Sequence, residues 1–230
     1  MTASPPAASP PSALPEPHHK PELDGIRGIA ILAVLLSHAA VHIRPDVHVA
    51  RILIELMIPG WSGVELFFAL SGFLITGILL RTKRSPNYFS SFYMRRFLRI
   101  FPIYYLTLTL GLIAAVFSPW WHSLMPELEK TRIAFYFYLQ NCPLFWNHLQ
   151  PLSGAFGHFW SLAVEEQFYL VWPILIWLLP EKTVFRICCA GFLLALPLRM
   201  LLFAKVFGSN FALMQLTTSR VDGLFIGSAF

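Results

Sequence analysis

The sequence predicts an all-α, polytopic transmembrane helix bundle, and three observations carry that prediction. Of the 230 residues, 56% are hydrophobic and only 13% charged, with a mean hydropathy of +0.61, a balance that a soluble domain of this size does not need. Several apolar windows are long enough to cross a bilayer, and their length selects helices over barrel strands. The positive charge is concentrated in one connection, which gives the bundle a direction. The net charge of +5 is therefore read by location, as topology, and not as a nucleic-acid signal. Cys142, Cys188 and Cys189 have no metal-ligand spacing, and their odd number argues against a disulfide framework.

Residues 1–23 carry seven prolines among Ala and Ser, a composition that cannot bury apolar surface and predicts a disordered tail. No basic region precedes a cleavage site, so the first helix, about 25–43, reads as an uncleaved signal-anchor. A polar connection with His42, Arg44, Asp46 and His48 leads into the amphipathic RILIELMIP, which ends at Pro59. The second span, about 61–80, holds Glu65 one turn inside, and Ser71, Gly72 and Gly77 as small residues that permit close packing.

The connection 81–99 carries six basic residues and no acid, which places it in the cytoplasm together with the N-terminus. The third span, about 97–117, then runs outward. Residues 118–157 form an aromatic-rich extracytoplasmic segment whose apolar run IAFYFYL (133–139) is too short to cross and reads as interfacial or re-entrant. The fourth span, about 158–179, returns inward. Glu181, Lys182 and Arg186 mark a cytoplasmic turn before the fifth span, about 184–204. A sixth begins near Arg220 and is cut at Phe230, so that about six spans are present and the chain reads as part of a longer protein.

Four groups of polar residues stand out against this apolar background. Arg27 and His38 are eleven residues apart on the first helix, so they point within about 20° of each other and lie about 16 Å apart along the axis, with Asp24 at the same foot. Arg96 and Arg99, spaced i, i+3 with Arg95 beside them, set two guanidinium forks on one helix face, a geometry suited to phosphate but also what a cytoplasmic helix end carries anyway. Glu165 and Glu166 are adjacent acids within a span, rare because each is costly unless paired, and His158 shares the face of Glu165. Arg220 and Asp222 lie about 200° apart, so each is expected to pair with a different helix. By the inferred topology His38, Glu65, Glu165, Arg220 and Asp222 share an outer polar cavity with the arginine clamp opposite. A general base and a distant phosphate anchor imply two substrates approaching from opposite sides.

The blocks LDGIRGIAILAVLLSH, GVELFFALSGFLITGILL, YMRRFLRIFPIYYL, FWSLAVEEQFYLVWP and SRVDGLFIG, in this order from about Leu23 to Phe230, resemble the membrane-bound acyltransferase 3 family. Its members include bacterial O-antigen and exopolysaccharide O-acetyltransferases. The family's Arg–ten residues–His pattern is met by Arg27 and His38, its Arg-x-x-Arg pattern by Arg96 and Arg99, and its Trp-to-Tyr block by Trp160 through Tyr169 with Glu165 and Glu166 in place. Residues 24–230 then resemble the first half to two thirds of a domain of about ten spans. The resemblance implies a bacterial cytoplasmic-membrane O-acyltransferase with no permanent cofactor. Acyl-CoA, with acetyl-CoA the expected form, is the donor, and an extracytoplasmic carbohydrate or glycolipid hydroxyl is the acceptor. Arg96 and Arg99 would hold the CoA phosphates, the pantetheine arm would pass Arg27, and His38 would act as base with Glu165 or Glu166 behind it. A covalent relay through Ser71 or Ser37 is a rival route. A proton- or solute-coupled transporter, which also uses buried His and Glu, and an inactive truncated family member are the alternative readings.

Overall fold

The computed structural model describes residues 21–42, 60, 62–117, 122–123, 125–142, 156–202 and 217–230, without the side chains of 38–42, 115, 202, 218 and 219. Every regular element among them is a helix: α1 (Pro21–His42), α2 (Ser62–Thr82), α3 (Tyr88–Phe117), α4 (Met125–Tyr136), α5 (Phe159–Leu178), α6 (Glu181–Leu202) and α7 (Thr217–Ser228). The tail up to residue 20 and the amphipathic stretch 51–59 lie outside the described residues. Residues 21–23, expected to belong to the tail, are the first turn of α1, where a proline loses no hydrogen bond.

Among the described residues three helical stretches are long and apolar enough to cross a membrane: Ser62–Thr82, Tyr88–Ala114 and Glu181–Leu201. The helical membrane architecture is as the sequence predicts; α1, α5 and α7 carry the other three apolar segments. Leu35, Ile103, Leu170 and Leu193 stand 61%, 69%, 64% and 69% exposed, far more apolar surface than water tolerates, and it is the face a bilayer would cover.

The basic stretch 81–99 is largely helical, contrary to its expected role as a loop. α2 runs on to Thr82, a short turn closes with Ser85 N–H donating to the Thr82 carbonyl at 2.8 Å, and α3 begins at Tyr88. The reason is local: after Pro86 and Asn87, the sequence YFSSFYMRRFLR holds no breaker and ends in strong helix formers. α3 is 30 residues long, about 45 Å, against an apolar bilayer core of about 30 Å.

α5 is the centre of the bundle. Its Trp160, Val164, Phe168, Trp172 and Ile176 are buried against Phe68, Ile75 and Leu79 of α2, Tyr88 and Phe92 of α3, Cys188 of α6 and Leu224 of α7. Tyr88 and Tyr93 of α3 donate to the Pro173 and Leu170 carbonyls at 3.0 and 2.9 Å, and Trp172 donates to Thr76 at 2.8 Å. Lys83 donates to the Leu179 carbonyl at 2.6 Å, placing a cation at the negative end of α5. The run 133–139 forms the last turn of α4 and the turn after it, tied to α3 by the Tyr104 and Tyr105 hydroxyls, which donate to the Phe135 and Tyr136 carbonyls.

α2 and α7 run parallel and share the most extensive helix interface. Their backbones touch. A methyl group on Gly72 would overlap the Leu224 carbonyl, and one on Gly227 would overlap the Ala69 carbonyl. Gly223 and Gly227, four residues apart, form the small-residue stripe that such an approach requires. Gly77 is not part of it: the nearest atom to a β-carbon there is Arg81 Nη2, at 3.9 Å.

Candidate active site

Glu165 lies six residues, about 9 Å, into α5 and is 4% exposed. Its carboxyl lies beside the hydroxyls of Ser71 on α2 and Tyr169 one turn on along α5, and those two hydroxyls bond to each other. Glu165 Oε1 is buried without a hydrogen-bond partner. The Arg96 guanidinium lies over the Tyr169 ring at 5.2 Å and the Phe92 ring at 5.8 Å, within electrostatic range of both Glu165 and Glu166. Arg27 is also in electrostatic range of Glu165, while 3.8 Å from Asp24 on its own helix. A cavity of about 180 Å³ separates Glu165 from α1, lined by Ala30, Val34, Gly63, Phe67 and Ser161.

The cluster follows from helical spacing. Glu165 and Tyr169, four apart, share a face of α5. Ser71 continues the buried stripe of Phe68 and Ile75 on α2, and Arg96 follows Phe92 by four on α3. A buried carboxylate needs such partners, since an isolated charge is strongly disfavoured in a dry interior.

The expected division into an outer acidic cavity and an inner arginine clamp does not hold. Arg27, Arg96 and Glu165 come together in one layer. α3 starts at Tyr88 and not near 97, so Arg96 lies eight and Arg99 eleven residues into the helix. Arg99 and Arg95 are exposed. His158 is exposed at the start of α5, two turns before Glu165, with its ring edge against Phe159. His38 belongs to α1, one turn beyond Val34 of the cavity wall; its side chain lies outside the described residues.

Glu65, Arg220 and Asp222 belong to two inter-helix ion pairs. Arg220 bonds to Glu65 of α2 and lies 5.6 Å from the Trp160 ring centroid; Asp222 accepts from Arg199 of α6 at 2.7 Å. The two-residue spacing that sets Arg220 and Asp222 on different faces thus matches two different partners. Arg220→Met is expected to destabilise the protein by about 2–4 kcal/mol, below the ~3–5 kcal/mol typical of a fully buried pair because the Glu65 side chain is 36% exposed. Thermal unfolding in detergent checks this: adding Glu65→Gln to Arg220→Met should restore most of the loss, and a double variant as unstable as the single would refute the pair.

Two features had no signal in the sequence. The placing of Ser71 beside Glu165 depends on how α2 packs on α5. So does a polar network in which Gln167 donates to Asn141 at 2.8 Å and to the Tyr138 carbonyl at 2.7 Å, while Thr217 bonds to Gln167 and accepts from Asn141. It ties the start of α7 to α5 and the turn after α4. Among the described residues no group of three His, Cys, Asp or Glu side chains could hold a metal ion.

Fold and site together define a helical membrane protein with a buried carboxyl–hydroxyl–guanidinium cluster. The family model described as "Acyltransferase domain" matches residues 20–230, and the chain belongs to this acyltransferase 3 family. The chain is similar to peptidoglycan O-acetyltransferase OatA of Listeria monocytogenes, 32% identical over 161 residues, covering 66% of this chain and 23% of the relative. It is 33% identical over 174 residues to a putative peptidoglycan O-acetyltransferase, YrhL, of Bacillus subtilis, covering 68% of this chain and 24% of the relative. For O-acetyltransferase OatA of Staphylococcus aureus the identity is 29% over 173 residues, 70% of this chain and 25% of the relative. The chain thus spans about a quarter of the length of these curated relatives. No solved structure matches it.

Proposed function

We propose that this chain forms the acyl-transfer core of a bacterial-membrane O-acyltransferase that moves an acetyl group from cytoplasmic acetyl-CoA to a hydroxyl of an extracytoplasmic carbohydrate. The observation that carries the reading is Glu165: a carboxyl buried on an apolar helix, with Oε1 unpartnered, two arginines in range and a cavity between it and the helix of His38. The names of the relatives point to a cell-wall glycan as acceptor. The N-terminus is cytoplasmic in this reading, and the exposed Arg99 and Arg95 of α3 meet the CoA phosphates of the donor. Arg96 and Arg27, less exposed, line the path of the pantetheine arm within electrostatic range of Glu165.

The His38 imidazole takes the proton of the acceptor hydroxyl as its oxygen attacks the thioester carbonyl. The ester C–O bond forms, the C–S bond breaks, and the CoA thiolate leaves with the proton returned from the imidazolium. Glu165 stabilises the charged imidazole.

The test is transfer of labelled acetyl from acetyl-CoA to peptidoglycan fragments by the protein in sealed vesicles. Product carrying the label is expected; pH-gradient-driven uptake without any acylated product would point to a transporter. Arg99→Ala should raise the KM for acetyl-CoA by about 10- to 100-fold, the worth of one bond to a charged group, with kcat little changed. An unchanged KM would remove Arg99 from the donor site.

A further inference from the structure

Glu165 and Glu166 face different cavities, and the second cavity shares Arg96 with the donor path proposed above but has no occupant of its own there. It measures about 260 Å³ and lies between α3, α5 and the turn after α4, lined by Tyr93, Phe97, Phe101 and Tyr138 together with Arg96 and Glu166. Two of its polar atoms, Glu166 Oε1 and the Tyr138 hydroxyl, are buried without a hydrogen-bond partner. Tyr138 is 6% exposed and has φ 54°, a left-handed backbone that a bulky residue adopts only when its surroundings enforce it. Those surroundings are present. Its ring stacks on Tyr104 at 4.4 Å, its carbonyl accepts from Gln167 at 2.7 Å, and the next residue donates to the Ala134 carbonyl at 2.7 Å. The fold thus holds an unsatisfied hydroxyl rigidly against an aromatic wall.

We propose that this cavity is the acceptor subsite and takes a single sugar ring, whose hydroxyls bond to Glu166 and Tyr138 while its C–H face lies on the aromatic rings. The proposal rests on the acyl-transfer reading above and adds where the acceptor sits. Three arguments favour a sugar. A hydrocarbon chain would leave both buried polar atoms unsatisfied, which a hydroxylated ring does not. A phosphate would meet one guanidinium, Arg96, against the two carboxyl groups of Glu166 and Glu165, which a neutral ring does not have to oppose. The volume is below the about 300–1,000 Å³ of clefts that hold drug-sized ligands, so it suits one ring and not a nucleotide. Arg96 and Tyr169 line this cavity and also reach Glu165, so a ring bound here lies against the catalytic cluster.

The experiment is equilibrium binding of a tritiated disaccharide muropeptide to the full chain in detergent without acetyl-CoA, alongside separate binding of acetyl-CoA. Glu166→Gln and Tyr138→Phe are each expected to weaken the sugar by about 10-fold or more with acetyl-CoA affinity unchanged. Tyr136→Phe, an exposed neighbour outside the cavity, should alter neither. Retained thermal stability of each variant shows that the fold is intact. Absence of muropeptide binding to the unaltered protein, equal affinity in both variants, or a loss of acetyl-CoA affinity in place of sugar affinity each overturns the subsite. Binding is read without turnover: if it behaves as expected but the protein transfers no acetyl, the acyl-transfer reading fails and the sugar site stands.

Discussion

His38→Ala and Glu165→Gln are each expected to lower the rate of acetyl transfer at saturating donor by about 10²–10⁴-fold, and the double variant to be no slower than the slower single one. A shared step follows from the desolvated carboxyl. Glu165 lies beside the Ser71 and Tyr169 hydroxyls and leaves Oε1 buried and unpartnered, an arrangement that is costly unless another group uses that oxygen during turnover. The cavity in front of it is walled by α1 from Ala30 to Leu35, and His38 follows Leu35 by one turn on that helix. Gln keeps the volume and one acceptor but removes the charge that would stabilise an imidazolium. If the two residues acted in separate steps their losses would multiply, so a double variant slower by the product of the two factors would refute the coupling. A wild-type rate in His38→Ala would remove the base itself. Glu166→Gln is the contrast: it should raise the acceptor KM and keep kcat at saturating acceptor.

The sequence made legible what depends on composition and period, and lost what depends on helix height. Long apolar segments, the adjacent acids on an apolar helix and the separate pairing of Arg220 and Asp222 were all readable from spacing. The layer that joins Arg27, Arg96 and Glu165 was not, because it requires knowing that α3 begins at Tyr88. The charge of residues 81–99 pointed to a loop, while their helix-forming side chains made a helix that carries Arg96 inward. Tyr138 had no signal at all: in IAFYFYL it is one aromatic among several, and only its left-handed backbone and buried hydroxyl separate it from them. Gly72 was readable as a packing glycine, but Gly77 matched it equally well in sequence. Which of the two meets a neighbour depends on where α7 lies.

That difference makes the second large effect testable. Gly227→Val is expected to destabilise the bundle by at least about 3 kcal/mol, whereas Gly77→Val should stay within ~0.5–1 kcal/mol of the original. At Gly227 the added β-carbon would overlap the Ala69 carbonyl oxygen and approach its Cα at 2.9 Å, and backbone atoms cannot rotate away as a side chain can. The two helices would have to separate along their whole length. That would pull Leu224 from the core, open the close contact at Gly72, and strain the Arg220–Glu65 bond that crosses the same interface. At Gly77 the nearest atom is the far end of the flexible Arg81 side chain, and valine is if anything the better helix residue there. Thermal unfolding followed by loss of the monodisperse peak in detergent reads both variants. Equal stability of the two would mean that α2 and α7 do not pack through their glycines, and a collapse of Gly77→Val would mean that another element covers that face.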